Sequence, residues 1–458
     1  MDESRTQSPR TALALGAALQ SGALDAEVLA EQTLAAIAAA DMPGLFTRIS
    51  AARAQAEAKA ASARLRAGRA ASPLDGVPVA WKDLFDLESE VTTAGSRVLA
   101  STPPAQADAP VVAALKSAGM VTVGCTGMTE FAFSGLGLNP HYGTPRNPWS
   151  SADAPRIPGG SSSGSAVAVA MGLLPAAIGT DTGGSVRIPA AFNGIVGYKA
   201  THGRYPMDGV FPLAQSLDSL GVFAHDVADA IAVDAAMRDA IAQTAETGVK
   251  DVTLVVPVNV VFDNAEPGVV DAFERALQRL DAAGATIERR VFPPFDGVLE
   301  LVARHGPLVA AEAYQVHAAR LADPREVAAM DPRVASRLAA GGKIAAADVA
   351  AFRAGRKALV AEARTVLGPR AMLVHPTVPH VAPLVRPLET DDALYLKANA
   401  STLRNTTLGN ILELCGVSLP CGRGEAGMPV GFLISAMGGL DADLLAVARE
   451  AEGVVREG

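Results

Sequence analysis

From residue 11 to residue 40, apolar side chains recur at helical spacing, with a break near Gly22. That spacing predicts two helices, and Asp25 stands where an N-cap for the second is expected. Residues 50–69 are rich in Ala, Arg and Glu and extend the helical pattern into an outer layer. At residue 76 the pattern changes. Gly76-Val77-Pro78-Val79-Ala80-Trp81-Lys82-Asp83 is a short apolar run with β-branched residues, which predicts a buried strand. Residues 108–118 predict a helix, Met120–Gly124 a strand, Thr129–Ser134 a helix or turn, and Asn139–Trp149 a loop. Ala166–Ile178 carries no charge and predicts a buried helix with an apolar continuation after Pro175.

Beyond this stretch the signals keep alternating. Ile195–Tyr198 is an apolar run, followed by a turn-rich segment from Thr201 to Gly221. Val252–Val256, Ala371–Val374 and Val430–Ser435 predict strands; 267–284 and 403–414 predict helices. Such alternation argues for an α/β fold, a central sheet with helices on both faces. Residues 300–368 differ, being long, helical and charged, with Glu312, His317, Arg320, Arg325 and Arg333. They predict a helical cap or insertion beside the sheet. No internal repeat, low-complexity tail or flexible linker interrupts the chain, so residues 1–458 are expected to form one domain.

Composition narrows the class. Of the 458 residues 49% are apolar and 19% charged, a balance that fills a large core. The net charge of −9 comes without a basic block or stripe, which argues against a nucleic-acid partner. Three cysteines at irregular spacing give neither a disulfide framework nor a zinc pattern, and no histidine pair has metal-ligand spacing. No metal and no cofactor are expected. The start, MDESRTQSPR, does not read as a leader, and no long apolar run predicts a membrane span. A cytoplasmic location, no membrane contact and a homodimer are the default expectations.

Two Gly-Ser stretches bracket the uncharged segment: Pro158-Gly159-Gly160-Ser161-Ser162-Ser163-Gly164-Ser165 and Gly179-Thr180-Asp181-Thr182-Gly183-Gly184-Ser185. They bring backbone N–H groups and hydroxyls to one place. A serine nucleophile needs a base to take its proton and donors to receive the oxyanion. The Thr182-Gly183-Gly184-Ser185 loop suits the donors, since glycines let the backbone turn sharply. The base stays open on these residues: His202 and His225 are nearest in sequence, and Lys82 is an unusual cation in an apolar run. Lys82 could equally pair with Asp83 or Asp86. Ser185 does not fit a Gly-x-Ser-x-Gly elbow, because Arg187 occupies the last position. A phosphate loop would need Gly-Lys-Ser/Thr, and Ser165 follows Gly164.

Three segments together resemble the amidase signature family: Gly76–Asp83, Gly159–Ser165 and Gly179–Ala190. Asn147-Pro148-Trp149, Gly197-Tyr198-Lys199, Ser216-Leu217-Asp218 and Leu419-Pro420-Cys421-Gly422 extend the likeness, densest over 75–225. It implies the family's mixed sheet and a Ser-cisSer-Lys triad, with Ser185 as the acylated nucleophile, Ser161 as the bridge and Lys82 as the base. Thr182, Gly183, Gly184 and the Ser185 N–H match the oxyanion hole. Lys199-Ala200-Thr201 departs from the family's Lys-Pro-Thr, a change expected to alter a turn and leave the triad untouched.

The expected activity is hydrolysis of a small-molecule amide, ester or carbamate through an acyl-enzyme. The alternative is the glutaminase component of a tRNA-dependent amidotransferase; a silent binding protein on the same fold is a third reading. The pocket is expected around Ala132, Phe133, Gly135 and Leu136 with parts of the 300–368 cap, and to be roomy and apolar. Asp181 and Arg187 are expected to form a structural pair.

Overall fold

The structure is a computed structural model that describes residues 11–242 and 245–456. The first ten residues, on which the reading of the chain start rests, lie outside the described residues. Eleven strands form one sheet among the described residues. In chain order they are β1 (Phe46–Ile49), β2 (Pro78–Lys82), β3 (Val121–Thr126), β4 (Ala176–Asp181), β5 (Val196–Lys199), β6 (Ser219–Ala224), β7 (Thr253–Pro257), β8 (Thr286–Arg290), β9 (Ala371–Pro376), β10 (Leu414–Arg423) and β11 (Pro429–Met437). Across the sheet the order is β1-β3-β2-β4-β6-β5-β10-β11-β9-β7-β8. β2 runs parallel to β3 and β4, and β7 parallel to β8 and β9. The other pairings are antiparallel, so the sheet is mixed.

Strand alternation sends successive side chains to opposite faces. Val79 and Trp81 of β2 and Ile178 of β4 join one apolar cluster, whereas Ala80 and Ala177 join another with Ala30, Ala54, Val167 and Val169 from flanking helices. Both faces of the sheet are therefore covered. Asp25 caps the Ala26–Ala40 helix as expected, its carboxylate accepting from Glu27 N at 2.9 Å.

Four expectations are corrected. The uncharged stretch divides into a helix over Ser163–Ala170 and strand β4, because the chain turns at Gly172 (φ 69°) before Pro175. The turn-rich segment after Thr201 ends inside β6, which fills the gap between β4 and β5. The helix expected at 403–414 runs Asp392–Ile411 instead, and Leu414 already belongs to β10. The cap consists of helices at Pro293–His305, Leu308–Leu321, Pro324–Ala329, Pro332–Gly341 and Ala346–Leu367, and so begins ahead of residue 300. No described helix is long and apolar enough to cross a membrane.

Candidate active site

Lys82 is the last residue of β2, a strand buried along its whole length between β3 and β4. Its ammonium meets neither Asp83 nor Asp86. Asp83 turns away to Thr93 and lies 4.0 Å from Arg48, while Asp86 accepts from Thr92 at 2.6 Å. Lys82 Nζ instead donates to Ser161 Oγ and to Thr180 Oγ1, each at 2.7 Å. Burial without a contacting carboxylate pulls the Lys82 pKa down to about 7, against the weaker opposing influence of Asp218 and Asp181. The Gly160–Ser161 peptide is cis. Two residues later the chain enters the Ser163–Ala170 helix, whose Gly164 lies against the backbone of Leu45 and Gly127; a Cβ there would stand 2.3 Å from Leu45 O.

Thr180 is the penultimate residue of β4, and Asp181 ends the strand just ahead of the Thr182–Ser185 loop. The loop is wound around the Asp181 carboxylate, which accepts from Gly184 N at 2.9 Å and Val186 N at 3.1 Å. Arg187 closes the ring with Nε at 3.0 Å and Nη2 at 2.8 Å, and Asn410 Nδ2 adds a bond at 2.9 Å. Burial opposes ionisation of Asp181, but Arg187, Lys199 and Asn410 outweigh it and hold the carboxyl well below its usual range. The Asp181–Arg187 pair is thus structural as expected, and Arg187, bound also to Asn410, is occupied within the protein.

This winding sorts the expected oxyanion donors. Gly184 N–H is taken by Asp181 and serves the turn, at φ 131°. The N–H groups of Thr182, Gly183 and Ser185 have no acceptor among the described residues. The Ser185 hydroxyl likewise makes no hydrogen bond there, and the residue is 5% exposed. Behind the loop, Thr182 Oγ1 donates to Asp218 Oδ1 at 2.6 Å, and Asp218 also accepts from Leu213 and Ala214 N–H. Burial pushes Asp218 up to about 6 despite these bonds.

The expected pocket residues sit on a loop fastened to the same place. Thr129 N donates to Ser161 O at 3.1 Å, and Gly160 N to Gly135 O at 2.8 Å. Phe131 (φ 51°) and Ala132 (φ 59°) are successive left-handed residues, a conformation costing about 1–3 kcal/mol each that the surroundings must hold. Ala132, Phe133 and Leu136 are buried, and Gly135 faces Leu403 and Ile188. Ser134 Oγ and Gly135 N both donate to Asn399 Oδ1 at 2.9 Å. The cap meets this loop with Arg337, whose guanidinium lies 4.1 Å from the Phe133 ring centroid, so the wall is not wholly apolar.

Residues without a signal in the sequence complete the surroundings. Thr406 and Thr407, on the helix Asp392–Ile411, donate to Gly183 O at 2.6 and 3.2 Å, and Leu403 borders Gly183. A helix with polar and apolar residues mixed around its axis announces no face, and only its position against the loop marks it. The alternative bases fall away: His202 is bonded to Gln215 O at 3.0 Å on the surface, and His225 follows Ala224, which pairs with Ala176 at the opposite end of β4 from Asp181 and the Ser185 loop.

Comparison with known proteins agrees with this geometry. A family model described as amidase matches residues 29–445. The chain is 36% identical over 413 residues to a 2-amino-5-chloromuconic acid deaminase of Comamonas testosteroni, covering 89% of this chain and 87% of that one. It is 44% identical over 275 residues to the A-type component of a glutamyl-tRNA(Gln) amidotransferase from Cupriavidus necator, a match spanning 60% of this chain and 51% of that one. A solved amidase structure superposes with a TM-score of 0.86 at 31% identity, covering 97% of this chain and all of that one. Matched along nearly its whole length and sharing the mixed sheet, the chain belongs to the amidase family and is an amidohydrolase acting on carbon–nitrogen bonds.

Proposed function

We propose that Ser185 is the acylated nucleophile, Ser161 the proton bridge and Lys82 the base. The observation that carries this reading is a fully buried Lys82 within hydrogen-bond distance of Ser161, at a pKa of about 7. A lysine serves as a base only when neutral, and burial supplies that state near neutral pH. With Lys82 neutral, the bond reverses and Ser161 O–H donates to Nζ. Ser161 Oγ then takes the Ser185 proton as it passes its own to Lys82. Ser185 Oγ bonds to the amide carbon, and the carbonyl oxygen draws its negative charge toward the free N–H groups of Thr182, Gly183 and Ser185. Collapse breaks the C–N bond, and the leaving nitrogen takes the proton back along Lys82 and Ser161. Water, deprotonated by the same relay, releases the acid and regenerates Ser185. Each oxyanion donor of this kind is worth about 3 kcal/mol.

The substrate is a small molecule with a primary or secondary amide; esters and carbamates share the acylation step. Ala132, Phe133, Gly135 and Leu136 are proposed to line the acyl or amine site. The 36% likeness to a protein named for deamination of an amino-substituted muconic acid supports a small, stand-alone hydrolase. The 44% likeness to an amidotransferase component supports glutaminase activity as the second reading, over a shorter share of the chain.

The test is a hydrolysis panel on the purified chain: glutamine, short primary amides, aryl anilides, aryl carbamates and matched esters, with Ser185→Ala as the blank. Cleavage of amides by the wild type alone supports the proposal. Turnover of glutamine only, or silence until a partner is added, turns it toward the amidotransferase reading. Undiminished cleavage by Ser185→Ala overturns the nucleophile.

A further inference from the structure

We infer that Thr406 is a positioning residue for the hydrolysis, holding the Gly183 carbonyl so that the N–H groups of Gly183 and Ser185 converge on the oxyanion. The inference rests on the acyl-enzyme reading of Ser185 and deepens it by naming what keeps the oxyanion donors aimed.

Between those two donors lies one peptide unit, Gly183–Gly184. A trans peptide is planar, and its C=O and N–H point opposite ways. Here both ends are held. Gly184 N donates to Asp181 Oδ1 at 2.9 Å, and Gly183 O accepts from Thr406 Oγ1 at 2.6 Å. Neither glycine has a side chain to limit backbone rotation, so the polar ends fix the plane. Rotation of that plane would turn the Gly183 N–H on one side relative to the Ser185 N–H on the other.

Both grips come from one helix face. Thr406 and Asn410 stand at i and i+4 on the helix Asp392–Ile411, which makes them neighbours. Thr406 takes the carbonyl directly. Asn410 Nδ2 donates to Asp181 Oδ1 at 2.9 Å and so backs the grip on the N–H. Earlier on the same helix, Asn399 accepts from Ser134 Oγ and Gly135 N, which ties the pocket loop to the same support.

Thr406 departs from other threonines within helices of this chain. Thr33, Thr365 and Thr402 donate to the carbonyl one turn back, at 2.8, 3.0 and 2.7 Å. That local bond is a common outlet for a hydroxyl inside a helix. Thr406 Oγ1 lies 3.3 Å from Leu403 O but 2.6 Å from Gly183 O, so the loop has the better claim on its proton. Thr406 is buried, and a Cβ on Gly184 would stand 2.1 Å from its Oγ1. Thr407 adds a longer bond to the same oxygen, at 3.2 Å, from a partly exposed position. Two adjacent β-branched residues are a poor choice for a helix interior. A shared acceptor outside the helix explains both.

A residue that serves only the fold and one that aims donors predict different kinetics. Loss of the first lowers stability and leaves the kinetics of the folded protein in place. Loss of the second lowers kcat with KM little changed, because the oxyanion forms only on the way to the tetrahedral intermediate. The experiment measures kcat and KM for the fastest amide of the hydrolysis panel, and the inhibition constant of butylboronic acid. In that adduct Ser185 Oγ bonds to boron and the serine proton passes to Lys82, leaving a tetrahedral anion with an oxygen in the place of the oxyanion. The proteins are wild type, Thr406→Val, Thr406→Ala, Thr406→Ser and Thr407→Val, each checked by urea unfolding. Thr406→Ala guards against crowding of the loop by the methyl that valine adds. Thr406→Val and Thr406→Ala should lower kcat about 10-fold and weaken boronate inhibition by about the same factor, the equivalent of one hydrogen bond. Thr406→Ser should restore most of both, and Thr407→Val should lose less than either.

Unchanged kcat and boronate inhibition in a folded Thr406→Val or Thr406→Ala protein would overturn the inference and leave Ser185-dependent cleavage standing. A Thr406→Ser protein as impaired as Thr406→Ala, or a larger loss in Thr407→Val, would do the same. Cleavage and boronate inhibition that persist in Ser185→Ala would instead remove the nucleophile reading, and the inference with it.

Discussion

Lys82 concentrates the chemistry of a single residue. Its pKa of about 7 means that the neutral, base-competent fraction grows as pH rises through neutrality. The expected outcome is a kcat/KM that climbs with pH through a limb near 7 and levels above it, measured between pH 5 and 9. Asp218 favours the ammonium form by its charge. Asp218→Asn should therefore move that limb to lower pH, whatever it does to the plateau; an unmoved or raised limb would count against Lys82 as the titrating base. Lys82→Ala should cost at least ~10²-fold in kcat/KM, the usual scale of a lost general base. Linkage gives the stability sign. The folded pKa is lowered below the ordinary 10.5, so the unfolded chain binds more protons between about 7 and 10.5, and this group makes folding more favourable as pH rises across that window. Its place was half legible in the sequence. A lysine inside an apolar run signals a cost that something must offset, but periodicity cannot say which partner. The neighbours in sequence, Asp83 and Asp86, face other groups, whereas Ser161 and Thr180 arrive from distant segments.

At the scale of elements, the Thr182–Ser185 loop and the helix Arg187–Asn193 depend on one carboxylate. Asp181 binds the backbone on both sides of Ser185 and the Arg187 side chain. Asp181→Asn leaves Arg187 buried and without its counter-charge, which should destabilise the fold by about 3–5 kcal/mol in urea unfolding. The wild-type contribution of this carboxylate is present above the unfolded value of 3.8 and is lost as pH falls toward its depressed folded value. The variant should accordingly show a flatter loss of stability below pH 4. Gly184→Ala tests the loop itself. The new Cβ would stand 2.1 Å from Thr406 Oγ1 at a φ of 131°, so both the backbone and the helix Asp392–Ile411 must shift. Turnover should fall by at least ~10²-fold, since displaced oxyanion donors are each worth that order, while circular dichroism stays close to wild type. The short helix escaped sequence reading because Arg-Ile-Pro-Ala-Ala-Phe-Asn places a proline inside it. Proline is tolerated there because it falls in the first turn, where N–H groups lack intrahelical partners.

On the scale of the whole molecule, the sheet ends in two edges, β1 and β8. β8 reads Thr-Ile-Glu-Arg-Arg, with Glu288 and Arg289 exposed; Arg289 pairs with Glu274 at 2.5 Å and Arg290 with Glu288 at 3.3 Å. Charges on an edge strand discourage pairing with another chain. Replacing Glu288 and Arg289 together by Val should increase self-association, read by light scattering at equal protein concentration. These charges also hid β8 from the hydrophobic pattern, as the glycine and proline of β10 hid that strand. The sequence by itself determined the apolar runs that become the central strands, the Asp25 cap and the serine, glycine and lysine motifs that imply the chemistry, because these depend on local periodicity and on residue type. Only the tertiary structure decided that Lys82 faces Ser161, that Asp181 rather than an oxyanion holds Gly184 N–H, and that Thr406 reaches Gly183 O from the helix Asp392–Ile411. Each of those is a contact between segments far apart in the chain, set by how the sheet orders its strands and where burial leaves a charge without water.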